Sequence, residues 1–174
     1  MNNFNLLISF PRYNEINAMA ETWFTLLICG DEYPIISNLE YLGLITALTS
    51  INHRKVIQRI KKILSEDTNF FQYILKIRPI DFVCQTDVKV IKELVEKKYR
   101  DYIKERENFK IELKRRKHEL IERESFIDTI ATNINNPVDL DNPDKIIRIE
   151  VLGNVSGISF FRPDEVIKPL KPKN

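Results

Sequence analysis

Between Phe109 and Arg162 the hydrophobic pattern changes period in a fixed order, and that order restricts this chain more than any other feature. Phe109, Ile111 and Leu113 alternate with Lys110, Glu112, Lys114 and Arg116, which predicts a strand with one apolar and one charged face. From Arg123 onward Phe126, Ile127 and Ile130 follow helical spacing. The run Val138-Asp139-Leu140-Asp141-Asn142-Pro143-Asp144 reads as a turn and strand start, with Asp141 and Pro143 as turn residues. Two short strands close the stretch, around Ile149 to Gly153 and Ser156 to Ser159. Strand, helix, strand, strand requires a mixed α/β fold.

The residues before this stretch carry a second pattern. Phe4 to Phe10 reads as a strand stopped by Pro11, and Ile16, Met19, Ala20, Trp23, Phe24 and Leu27 recur at helical spacing. Gly30-Asp31-Glu32 breaks the helix, and strands are expected at Tyr33 to Ser37 and Leu42 to Ser50, with Gly43 allowing a bend. Asn52 is placed to cap a helix whose Val56, Ile57, Ile60, Ile63 and Leu64 stand opposite Arg54, Lys55, Arg59, Lys61 and Lys62. Phe71 to Pro79 alternates as a strand. The sum is β-α-β-β-α-β, the order of a ferredoxin-like half, an arrangement that leaves one sheet face free of helices. Thr86 or Asp87 can cap a further helix lined by Val88, Ile91, Leu94, Val95, Tyr99 and Tyr102, so the join falls near Ile80 to Gln85. The expected division is residues 1–80, 81–168, and a flexible basic tail, 169–174. A length of 174 residues allows two such small domains.

Net charge is only +2, so the total does not mark a nucleic-acid binder. Its distribution is more informative. Arg12 is the one cation among the first 51 residues, against Glu15, Glu21, Asp31, Glu32 and Glu40, while the cations Arg54 to Arg78 follow closely. A local patch within roughly one Debye length, about 8 Å, can attract phosphate from a nearly neutral chain. For any single Lys or Arg, solvation of an exposed helix face is the better account of its presence.

The segments Phe109 to Arg116, Arg123 to Ile130, Val138 to Asp144, Ile149 to Gly153 and Ser156 to Ser159 together resemble the THUMP domain, a module of tRNA-modifying enzymes and their helpers. Leu75 to Pro79 and Cys84 to Asp87 resemble the lead-in of one subgroup. In that subgroup THUMP follows a ferredoxin-like half and carries no enzyme. The resemblance implies an adaptor that binds tRNA at the acceptor stem and CCA end and presents it to an RNA cytidine acetyltransferase acting on the D-arm. It implies no cofactor and no catalytic residue in this chain. Where the family usually has a small hydroxyl residue before Arg-Glu, this chain has Glu122, which weakens the expected helix cap.

Given that resemblance, the candidate RNA contacts are Lys110, Lys114, Arg115, Arg116, Arg123, Gly157 and Arg162. A strand holds its cations in a fixed array suited to phosphate oxygens; a charged, solvated edge strand is the alternative. Arg123 opens a helix whose free amides could join it on an anion, or it could pair with Glu119 or Asp128. Gly157 could admit a ribose or base closely, or serve as a plain turn or bulge. Phe160, Phe161, Tyr99 and Tyr102 could stack on unpaired bases, or fill the core.

Other chemistries lack their residues. Cys29 and Cys84 form no metal-spaced pair and no disulfide framework, which suits a reduced, cytoplasmic protein. His53 and His118 have no ligand-spaced partners, so no metal site is expected. Four glycines supply no phosphate loop, and Asp144 breaks the Asn-Pro-Pro-Tyr motif that THUMP-bearing amino-methyltransferases use. No signal peptide or membrane span is expected. Two rivals to the adaptor remain: an RNA-modifying enzyme in its own right, and a protein-interaction module that sets its basic faces on an acidic partner.

Overall fold

The computed structural model describes residues 3–116 and 122–169, and within them the chain forms two compact units, one of Asn3–Ile80 with the residues from Asp164 on, the other of Asp81–Pro163. His118, Glu119 and Lys171 to Lys173 of the tail lie outside the described residues. The second part was expected to run on to residue 168. Ile167 instead bridges antiparallel to Ile77, which groups residues 164–169 with the first unit.

In the first unit β1 (Leu6–Ser9), α1 (Glu15–Ile28), β2 (Ile35–Asn38), β3 (Leu44–Leu48), α2 (His53–Glu66) and β4 (Lys76–Pro79) follow the expected β-α-β-β-α-β order. The sheet order is β2-β3-β1-β4, and all three pairings are antiparallel. Leu6, Ile8, Ile45, Ala47 and Ile77 pack with Ala18 and Leu26 of α1 and Val56, Ile57 and Ile60 of α2 into one core. Asn52 caps α2 as expected, its side-chain oxygen accepting from the amides of Arg54 at 3.0 Å and Lys55 at 3.2 Å. Gly43 has φ +80, and a Cβ there would stand 2.8 Å from the Phe10 carbonyl oxygen, so only glycine fits this turn.

Helix α1 departs from the pattern. Its buried residues are Ala18, Thr22, Thr25 and Leu26, whereas Ile16, Trp23 and Phe24 of the apolar stripe are exposed. The helix is apolar on nearly every side, so spacing alone cannot say which side faces in. Glu21 fixes the segment before β4 by accepting from the amides of Gln72, Tyr73 and Ile74 at 2.7, 3.0 and 2.8 Å. Asp31 is fully buried and accepts from the Ser50 hydroxyl at 2.8 Å and amide at 3.2 Å. Burial raises the Asp31 pKa, but hydrogen bonds from Thr49, Ser50 and Tyr33 outweigh it and leave the carboxyl below its ordinary value.

The second unit contains β5 (Phe82–Gln85), α3 (Val88–Tyr102), β6 (Phe109–Arg116), α4 (Arg123–Ala131), β7 (Lys145–Leu152) and β8 (Val155–Phe161). Sheet order is β5-β8-β7-β6, with β6 and β7 parallel and the other pairs antiparallel. Strand β5 occupies what the sequence presented as the join. Four residues show no clear period, and β5 exists by pairing with β8, whose partner residues lie 70 to 76 positions later in the chain. Ile91, Val95 and Tyr99 of α3 and Phe126 and Ile130 of α4 cover the sheet face bearing Leu113, Ile147, Ile149, Val151, Ile158 and Phe160.

Candidate nucleic-acid interface

Strand β6 is the edge of its sheet, and beyond a parallel bridge from Phe109 to Val138 no strand pairs with its outer side among the described residues, so its cations are presented from a rigid ladder. Alternation places Lys110, Glu112, Lys114 and Arg116 on the face away from α3 and α4, and Arg115 on the helix side. Exposure divides them further. Lys114 and Arg115 are exposed, Arg116 is half-buried, and Lys110 is half-buried with its ammonium 3.0 Å from Glu112.

Lys110 belongs to an ion-pair row across two strands. Register sets Glu112 beside Arg148, and the Arg148 guanidinium reaches Glu112 at 2.6 Å and the buried Glu150 at 2.9 Å. Burial raises the Glu112 pKa, but hydrogen bonds and charge from Lys110 and Arg148 outweigh it and hold the carboxyl below the ordinary glutamate value. Arg148 was not among the expected site residues. A lone Arg within an apolar strand was the available signal, and its role is to compensate the buried Glu150.

At the far end of β6 the start of α4 comes close to Arg115, whose charge contributes to lowering the Glu122 pKa. The larger causes are the hydrogen bonds that Glu122 accepts from the amides of Ser125 at 2.6 Å and Glu124 at 3.0 Å. Glu122 is thus the cap that its residue type argued against. Its longer side chain folds back far enough to reach both amides, and its carboxylate occupies the anion position expected for Arg123. Arg123 itself is exposed at this helix start.

The remaining expected contacts lie elsewhere. Gly157 is buried in β8 between Val83 of β5 and Glu150 of β7, so it cannot admit a ribose or base. Arg162 follows the end of β8 that pairs with the start of β7, the sheet end opposite Arg116. Lys110 and Lys114 are four residues apart, about 13 Å along a strand, so the set divides into two groups. Tyr99, Phe160 and Phe161 are buried, and Tyr102 stacks on Phe160 with centroids 4.8 Å apart. Tyr99, Phe160 and Phe161 thus build the core and offer no free ring face to a base, while Tyr102 is half-buried with one face on Phe160.

Asp141 lies in the turn before β7, as expected. Asp139 closes that turn by accepting from the amides of Asp141 at 3.0 Å and Asn142 at 2.9 Å, while Asn108 and Asp144 exchange bonds of 3.0 and 2.6 Å. This clamp aligns the starts of the two parallel strands. Near it a cleft of about 610 Å³ is lined by Tyr99, Arg100, Ile103, Lys104, Glu105, Asn135 and Asn136, a cationic and amide-bearing surface absent from the expected site. The Asn135-Asn136 pair beside a charged loop was the signal for it.

The basic residues of α2 are partly engaged within the first unit. Arg54 pairs with Glu165 at 2.7 Å, Lys61 with Asp164 at 2.8 Å, and the Arg59 guanidinium donates to the Cys29 carbonyl, leaving Lys55 and Lys62 exposed. Burial pushes both thiols up, with Arg59 partly offsetting the rise at Cys29. Among the described residues no group of three or more His, Cys, Asp or Glu could hold a metal ion, and no helix is long and apolar enough to cross a membrane.

A four-stranded sheet with two helices on one face and a parallel edge pair carrying cations is the frame of the second unit. Residues 85–160 match the THUMP domain, and the chain carries that domain with a further α/β unit before it. It is 34% identical over 121 residues to the uncharacterized protein MJ0421 of Methanocaldococcus jannaschii, a match covering 64% of this chain and 33% of that protein. The chain thus spans about a third of the length of that curated relative. Among solved structures it is similar to PH1313 of Pyrococcus horikoshii, with TM-score 0.69, 19% identity, and coverage of 95% of this chain and 55% of that one. It is also similar to TrmN of Thermus thermophilus, with TM-score 0.59, 10% identity, and coverage of 93% and 47%. A 4-thiouridine synthetase solved with RNA and ATP gives TM-score 0.53 and 17% identity, covering 95% of this chain and 42% of that one. These likenesses establish the fold.

Proposed function

We propose that the chain binds tRNA through the exposed end of β6, and that it serves as an adaptor presenting tRNA to an RNA cytidine acetyltransferase without a catalytic site of its own. The observation that carries the binding reading is the pair Lys114 and Arg115, adjacent and exposed on the edge strand of a THUMP domain beside the exposed Arg123. Phosphate contacts need cations held in place, and a hydrogen-bonded strand holds them at little further cost in conformational entropy. Likeness to the synthetase solved with RNA supports the same partner class. The acceptor stem and CCA end are the expected target, and the cytoplasm the expected location.

Binding is tested by titrating the pure protein against intact tRNA, tRNA lacking CCA, and tRNA with an altered anticodon loop. Loss of CCA should weaken binding more than the anticodon change; equal loss from both would reduce the interaction to generic attraction. The adaptor part is tested separately, with tRNA and acetyl donor. No acetylated cytidine should form until an acetyltransferase is added, and product from this protein alone would make it the enzyme.

A further inference from the structure

The exposed side of α1 and the outer edge of β2 form one surface in the first unit. A cleft of about 490 Å³ runs between them, lined by Met19, Ala20, Trp23, Pro34, Ile35 and Ile36. Trp23 is 49% exposed, Ile35 52% and Ile16 83%, an apolar grouping of the kind that soluble surfaces usually cover. Strand β2 ends its sheet, and among the described residues no strand pairs with its outer side. Backbone donors and acceptors therefore lie along the floor of an apolar groove, the condition for adding a strand.

Charge selects the occupant. Glu32 precedes β2 and Glu40 follows it, both exposed, so a carboxylate stands at each end of the strand. Glu15 sits in the first turn of α1, and no Lys or Arg occurs from Tyr13 to Asn52. The other carboxylates of this region, Glu21 and Asp31, are engaged by backbone amides. Phosphate is repelled by such a rim. A second copy is disfavoured as well, because antiparallel β2-to-β2 pairing would bring Glu32 of one copy towards Glu40 of the other.

We infer that this groove takes an extended segment of a partner protein, apolar at alternate positions and bearing Lys or Arg at both ends, which adds to β2 as a further strand under the overhang of α1. Its side chains on the α1 side would enter beside Met19, Trp23 and Ile36, and its terminal cations would meet Glu32 and Glu40. This surface is distinct from the THUMP cations and does not depend on their binding RNA.

The chain has a single tryptophan, Trp23, so its emission reports on this groove alone. The probe is a short synthetic peptide of alternating Ile and Thr with Lys and Arg at both ends, titrated into the whole protein. Expected are a saturable blue shift, binding about tenfold tighter than that of the same peptide ended by Glu, and new hydrogen-exchange protection over Ile35–Asn38. N-methylation of alternate peptide amides should abolish the shift, and Glu32→Lys with Glu40→Lys, checked for folding by circular dichroism, should reverse the charge preference. No shift, equal binding of both peptides, or indifference to N-methylation overturns the inference. A shift that depends on protein concentration without peptide would overturn it too, assigning the groove to a second copy instead.

Discussion

Removing Lys114 and Arg115 together tests whether β6 is an RNA contact or a charged edge. Both side chains are exposed, and neither belongs to the Lys110–Glu112–Arg148–Glu150 row, so Lys114→Ala with Arg115→Ala should change folding stability by no more than about half a kcal/mol. If each cation meets one phosphate, their loss should cost roughly 1 to 3 kcal/mol of binding, about fivefold to 150-fold. The salt dependence gives an independent measure. Each lost phosphate contact should flatten the log-log slope by about 0.7 to 0.9, so wild type and variant should converge by roughly tenfold between 50 and 200 mM salt. Fluorescence anisotropy with labelled tRNA at several salt concentrations reads both quantities. Equal affinity and equal slope, on variant protein whose melting matches wild type, would remove this strand from the interface and leave the charged-edge explanation.

Leu113 of the same strand, 7% exposed under the helices, should behave inversely: Leu113→Ala should lower stability by about 2 to 5 kcal/mol through lost burial and a cavity, measured by urea unfolding. Glu112 and Asp31 have folded pKa values below their ordinary ones, so the unfolded chain takes up their protons first. Their stabilisation is therefore present above the ordinary carboxylate range, roughly pH 4, and is lost as pH falls towards the folded values. Denaturation at pH 7 and pH 3 should show that loss, reduced in Glu112→Gln; an unchanged pH dependence in that variant would exclude the ion-pair row as a source. Gly43→Ala should destabilise by about 1 to 3 kcal/mol, since φ +80 and the Phe10 carbonyl both oppose a Cβ, and a neutral result would show that this turn relaxes freely.

Local chemistry was legible in the sequence itself. The cap at Asn52, the inward stripe Val56, Ile57 and Ile60, the cap at Asp87 and the alternation of β6 each depend on residues within a turn or two of one another, and each appears where its pattern placed it. The two-part α/β organisation follows from such signals in order. What was not legible depends on partners far along the chain. Strand β5 needs β8, Gly157 is buried because strands flank it on both sides, and Lys110 is engaged because Glu112 is held in a row with Arg148. The outward turn of Ile16, Trp23 and Phe24 has the same origin: α1 is apolar on most of its surface, and packing on the sheet, rather than periodicity, selected Ala18, Thr22, Thr25 and Leu26 as its buried side. Residue type specifies what a side chain can do, but its freedom to do it is settled by long-range pairing, which opens Lys114 and Arg115 to solvent and closes Gly157, Phe160 and Phe161 to any ligand.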